Sequence, residues 1–232
     1  MNNRTGKVLR TVGLIFFGLT TAMNLLGGIG TTCAAFLTRD YPPYWALIKE
    51  DKQLLYQGLV VTTVILGIVG IWVTVQLARG KKNAFRNALI VLVIGTILSG
   101  IQFYYSLQLF GKATPANVKF FSNVITLILF LIFLIPSIRE RVSFSKNGGI
   151  ADKDTAGGLA AIMTGIILLT TPIWAGPSHT YLGENWVNLL QTPLFISGIL
   201  LIGGGIALFM RVAIDIIRQE FAMADLKLPK DR

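Results

Sequence analysis

The sequence predicts an all-α integral membrane protein, a bundle of six transmembrane helices with both termini cytoplasmic. Three observations carry that expectation. Apolar residues make up 53% of the 232 and charged residues only 14%, with a mean hydropathy of +0.65, well outside the balance of a soluble domain. Six stretches are almost free of charge, and each holds the roughly 20 apolar-dominated residues that cross a hydrocarbon core about 30 Å thick. Lys and Arg fall between these stretches with a strong bias to alternate connections, the pattern that sets orientation. Helix is the form expected, because barrel strands would alternate polar and apolar residues.

The spans are expected at 11–38, 53–78, 87–111, 118–138, 155–178 and 187–212, with a partly helical cytoplasmic tail over 213–232. The first follows the basic segment MNNRTGKVLR. It reads as a helix and not as a leader, since its apolar run outlasts a leader core and no small-x-small cleavage pattern follows. Its end, Gly27 to Thr32 (GGIGTT), is a weak helix in which each glycine costs about 1 kcal/mol relative to Ala. A break there would free carbonyls to line a cavity. The next connection, RDYPPYWALIKEDK, starts stiffly at Pro42 and Pro43, and its WALIK stretch reads as a short interfacial helix. The polar connection Arg139 to Asp154 centres on an Asn-Gly-Gly turn. Residues 175–186, AGPSHTYLGENW, read as a turn between the last two spans, and the tail begins as a continuation of the sixth, with Arg211 and Asp215 spaced for an i,i+4 pair. Leu54 to Gly70 and Leu189 to Gly205 match faintly, as a duplicated hairpin would.

With six spans, 16 of the 21 Lys and Arg residues lie on one side, which assigns both ends of this multi-pass chain to the cytoplasm, and its plain loops and size point to a plasma membrane. The other side receives Arg39, Lys49, Lys52, Lys112 and Lys119, the last at the start of the fourth span. All six tyrosines and three of the four tryptophans (Trp45, Trp174, Trp186) gather near the outer ends. That bias predicts rings that pack on one another or on a partner.

The net charge of +10 does not point to nucleic acid, because the basic residues punctuate apolar runs and form no stripe on a soluble surface. One cysteine, Cys33, and one histidine, His179, exclude an intrachain disulfide, a thiolate metal cluster and a bis-histidine haem. No cofactor, metal or catalytic set is expected. Counting Lys119 with the outer connection leaves no ionisable group well inside a span, which disfavours proton-coupled transport and buried-carboxylate chemistry.

What remains for ligand contact is neutral and sparse. Asn24 and Gln102 are carboxamides that need partners in hydrocarbon, and Gly28 and Gly30 lie in the weakened helix. Tyr104 and Trp174 belong to the outer aromatic surface, while His179 and Glu184 share the 175–186 turn. Cys33, His179 and Glu184 could form a nucleophile set if the first and fifth spans were neighbours, although no specified spacing supports it. The glycines within the spans predict close helix packing and a face for a homo-oligomer or a protein partner, with the bilayer as the main solvent. The function expected is a non-catalytic accessory or scaffold protein of the membrane. The alternative is a channel-like carrier for a small neutral or hydrophobic solute.

Overall fold

The structure, a computed structural model, describes residues 3–36, 48, 50–111, 116–142, 144, 150–176, 180–181, 184–185, 187–188 and 191–227. Among these residues the architecture is all-helical apart from one short hairpin. In chain order the elements are α1 (Asn3–Gly30), α2 (Thr32–Phe36), α3 (Glu50–Ala78), α4 (Ala84–Phe110), α5 (Ala116–Ile132), α6 (Pro136–Val142), α7 (Ile150–Ala175), β1 (Thr180–Tyr181), β2 (Glu184–Asn185) and α8 (Gln191–Lys227). Among the described residues, four stretches are long and apolar enough to cross a membrane: Val8–Gly30, Lys52–Ala78, Ala84–Phe110 and Gln191–Asp215. Two shorter apolar stretches, Ala116–Ile132 and Gly157–Ile173, lie between the third and fourth of these. Together these helices suggest a membrane location.

Local chemistry explains the boundaries. The α3–α4 turn passes through Gly80 at φ 65°, and α4 closes on Gly111 at φ 61°, where the Gly111 N–H donates to the Leu107 carbonyl. Both are left-handed positions that glycine occupies without strain. The stretch expected as one span over 118–138 is divided. Pro136 has no N–H to continue a helix and disfavours helical geometry in the residue before it. So α5 ends at Ile132, and α6 restarts with Pro136 as its first residue. The first span breaks as its glycines predict, at Thr31. The freed carbonyls do not line a cavity, however: the Thr31 hydroxyl donates to Gly27 O and Gly28 O at 2.8 and 3.1 Å, and the Thr32 hydroxyl to Gly28 O at 3.3 Å. The Pro-Pro segment, WALIK apart from Ile48, and the Asn-Gly-Gly turn lie outside the described residues.

Helices α1, α3, α4 and α5 pack around one another, and α7 with α8 forms a closely packed hairpin joined to them mainly through α1. Glycines set the closest approaches. On α1 and α3, Gly67 faces the Leu25 backbone and Gly70 faces Thr21, so a Cβ at either would stand 2.8 Å from its neighbour. On α7 and α8, Gly158 faces Gly205 and Gly165 faces Gly198, with carbonyl oxygens 2.5–3.0 Å from where a Cβ would be. The α7 and α8 glycines recur seven positions apart, 158 and 165 against 205 and 198, so the two helices run antiparallel along a repeating small-residue seam. Arg211, expected to pair with Asp215, instead reaches Asp154 on α7, Nε to Oδ2 3.6 Å.

The buried apolar core lies toward the end that carries the α3–α4 turn. Phe17, Leu77, Ala84, Ala88, Leu92 and Phe130 are fully buried there, joined by Phe133 and Phe144. A smaller cluster of Ala35, Ile48, Tyr56 and Val60 closes the α2 end. Outward faces are apolar too: Ile90, Ile94, Ile97 and Ile101 on α4, and Val61, Ile65, Ile68 and Trp72 on α3, are all exposed. A water-soluble chain rarely carries such surfaces.

Candidate functional site

Between the two apolar clusters runs a buried polar seam built by α1, α4 and α5. Thr20, Asn24 and Gly27 are spaced four and three residues apart on α1; Lys119, Asn123 and Thr126 repeat that spacing antiparallel on α5; Gly95, Ser99, Gln102 and Ser106 do so on α4. Alternating steps of three and four keep a side chain on one helix face. Each helix therefore turns a polar stripe inward at this level.

The rungs are specific. The Thr20 and Thr126 hydroxyls lie 2.6 Å apart, and Thr20 Oγ1 also donates to Ser122 O at 3.2 Å. Asn24 and Asn123 exchange amide hydrogen bonds, Asn123 Nδ2 to Asn24 Oδ1 at 2.8 Å and Asn24 Nδ2 to Asn123 Oδ1 at 3.2 Å. Asn123 Nδ2 donates in addition to the Lys119 carbonyl at 2.8 Å. Gly95 makes this pair feasible, since a Cβ there would collide with the Asn123 amide oxygen. The third rung holds an ionisable group. Lys119, only 2% exposed, donates from Nζ to the side-chain oxygen of Gln102, itself 1% exposed. The lysine stem lies across Gly27, where any side chain would overlap it.

Lys119 corrects the sequence reading. It is no outer-connection cation but a buried side chain one turn into α5. Its long stem carries the amine past Gly27 of α1 to Gln102 of α4, a reach that residue counting cannot see. Ionisable groups in such surroundings mark functional positions by default, with the partner named. Here the partner is an amide oxygen, which accepts one of the three donors of an ammonium.

Of the residues expected at a site, the structure brings Asn24 and Gln102 into adjacent rungs. Gly28 is buried but faces Val64 on α3. Gly30 is exposed, with open space where a Cβ would stand, and Tyr104 is exposed and packs edge-on to Tyr105 at 5.4 Å. Ring packing continues at that end with Tyr56 against Phe110 at 6.4 Å and the Lys52 amine 5.2 Å from the Tyr105 ring. His179 and the side chains of Trp174, Glu184 and Cys33 lie outside the described residues. Among the described residues of 175–186, Thr180 pairs with Asn185 and Tyr181 with Glu184 across β1 and β2, and the Asn185 amide seats against Gly176 at the end of α7.

Sequence reasoning missed Lys119 and Thr126 as members of a site. The three–four spacing shared by 20/24/27, 95/99/102 and 119/123/126 was the available signal. No protein-family model matches the chain, and no curated protein or solved structure is significantly similar to it.

Proposed function

We propose that the chain is a six-span plasma-membrane protein with both termini cytoplasmic, acting as a non-catalytic accessory or scaffold subunit. The short stretches Ala116–Ile132 and Gly157–Ile173 are counted as the fourth and fifth spans; at 1.5 Å per residue, 17 residues cover about 26 Å, near the lower limit for crossing. The distribution of Lys and Arg supports the orientation.

One observation carries the scaffold role. Along the α1–α4–α5 seam the polar side chains are bonded to one another, Thr20 to Thr126, Asn24 to Asn123 and Lys119 to Gln102. Side chains committed to helix–helix bonds tie a bundle together and do not offer themselves to a passing solute. That weakens the carrier alternative, which needed Asn24 and Gln102 facing a pathway. A partner or second copy would meet α8, the least buried of the long apolar helices, where Gly203 and Gly204 are exposed with nothing near them.

Purification of the tagged chain in native nanodiscs, with mass spectrometry of what accompanies it, tests this. A stoichiometric protein partner or a homogeneous homo-oligomer is expected, lost in Gly203→Leu/Gly204→Leu while the chain still expresses. A monomer that retains a small solute would overturn the scaffold reading.

A further inference from the structure

At the end of the molecule that carries the α3–α4 turn lies a cavity of about 180 Å³, lined by Lys81, Lys82, Phe85, Phe133, Arg139, Val142 and Phe144. Its construction follows from two local features already described. Gly80 turns the chain back on itself and leaves Lys81 and Lys82 at the tip of the turn. Pro136 ends α5 and redirects the chain into α6, which carries Arg139 and Val142 to the opposite wall. Aromatic rings form the apolar wall: Phe144 packs on Phe85 at 5.4 Å and on Phe133 at 6.0 Å. Gly13 on α1 makes room for Phe133, whose ring edge stands 2.7 Å from where a Cβ would lie.

Cations beside a membrane helix serve topology in most proteins and need no ligand. Three features set this group apart. The cations come from two separate segments and converge on one cavity, and no carboxylate stands among the described lining residues. The cavity has an aromatic wall, so it presents apolar surface beneath the charge. Directly beside it on the chain, Ile132, Leu134 and Ile135 are exposed apolar side chains, placed to meet acyl chains. The volume is below the roughly 300–1,000 Å³ of pockets that enclose a whole drug-sized ligand. A headgroup fits its size better than an entire lipid.

We propose that this cavity binds the phosphodiester headgroup of an anionic membrane lipid, with Lys81, Lys82 and Arg139 around the phosphate and the acyl chains lying outside along Ile132 to Ile135. Basic pockets between helices at the membrane surface recognise anionic headgroups through this combination of charge and shape, and Arg adds a planar donor fork suited to phosphate oxygens. Inorganic phosphate shares the anionic chemistry but makes no use of the apolar lip. The proposal rests on the membrane reading above.

The test is native mass spectrometry of the full chain released from detergent, titrated with dioctanoyl phosphatidylglycerol, with dioctanoyl phosphatidylcholine, and with phosphatidylglycerol in competition with inorganic phosphate. One phosphatidylglycerol is expected to bind at least about tenfold tighter than phosphatidylcholine and to resist equimolar phosphate. The preference should vanish in K81Q/K82Q/R139Q, whose three side chains are exposed and whose loss leaves the core intact. It should persist in R86Q/R218Q/K227Q, which removes the same charge elsewhere. Equal affinity for the two lipids, displacement by phosphate, or equal loss in both triple variants would overturn the proposal. Carbonate extraction of the same preparations separates the two readings. A chain released from membranes without detergent defeats the membrane reading, whereas a chain that stays in the pellet but shows no lipid preference defeats only the lipid site.

Discussion

At the scale of single residues, Lys119 and Gln102 decide how the interior should be understood. A buried amine that loses its acceptor pays the full desolvation of an unpaired donor, about 1–3 kcal/mol and more when charged. Replacing both partners with apolar groups of similar volume is close to neutral. Gln102→Leu should therefore lower the thermal unfolding temperature in detergent, and K119M/Q102L should restore most of the loss. If the double variant is as unstable as the single one, the pairing is not what Gln102 contributes. The restored protein also bears on function, because a scaffold tolerates the exchange. A stable double variant without its membrane role would give Lys119 a chemical task. Asn24 was legible in the sequence as a carboxamide that needed a partner; its partner Asn123 was visible too, but the pairing was not, because it depends on which helices meet. Lys119 was misread because its Cα sits near a helix end while its amine lies in the interior.

Helices obey a different logic, in which small residues decide what can approach. The α7–α8 pair brings backbone carbonyls of glycine against glycine, and backbone cannot move aside as a flexible side chain can. Gly158→Val should separate these helices and cost about 1–3 kcal/mol, the usual range for overpacking. Gly204→Ala, mid-helix and in open space, should not destabilise the protein and should gain up to about 1 kcal/mol of helix propensity. Chemical unfolding of both variants in one mixed-micelle system checks the pair, and equal destabilisation would refute the assignment. The seam between α1 and α3 is held the same way. Thr21 and Thr63, buried nearby, have hydroxyls without a partner among the described residues, so close backbone contact joins that pair along most of its length, with the Arg10 guanidinium donating to the Ala78 carbonyl at 3.4 Å at one end. Glycine clustering inside apolar runs made close packing foreseeable. Which glycine meets which helix was not, since apolar sequences carry little pairing information. The division of the fourth stretch at Pro136 was readable from the proline alone, and the length of the apolar run hid it.

For the molecule as a whole, an all-helical chain with long apolar helices and apolar outward faces was legible from composition and periodicity. Orientation is another matter, because it resides in the charges between helices and in the membrane itself. Two of the six proposed spans are short, and one of them, α5, contains the buried lysine. If α5 did not cross, every later connection would change sides, and the division of Lys and Arg, 16 against 4 once the buried Lys119 is set aside, would lose its meaning. Span number and orientation thus stand or fall together.

The most direct measurement is labelling of single cysteines with a membrane-impermeant maleimide in a Cys33→Ser background, in intact and then permeabilised cells. Six spans with both ends inside predict that Ala46→Cys, Thr114→Cys and Leu182→Cys label in intact cells, while Lys82→Cys, Lys146→Cys and Lys230→Cys label only after permeabilisation. Labelling of Lys146→Cys or Lys230→Cys from outside intact cells would contradict the six-span bundle.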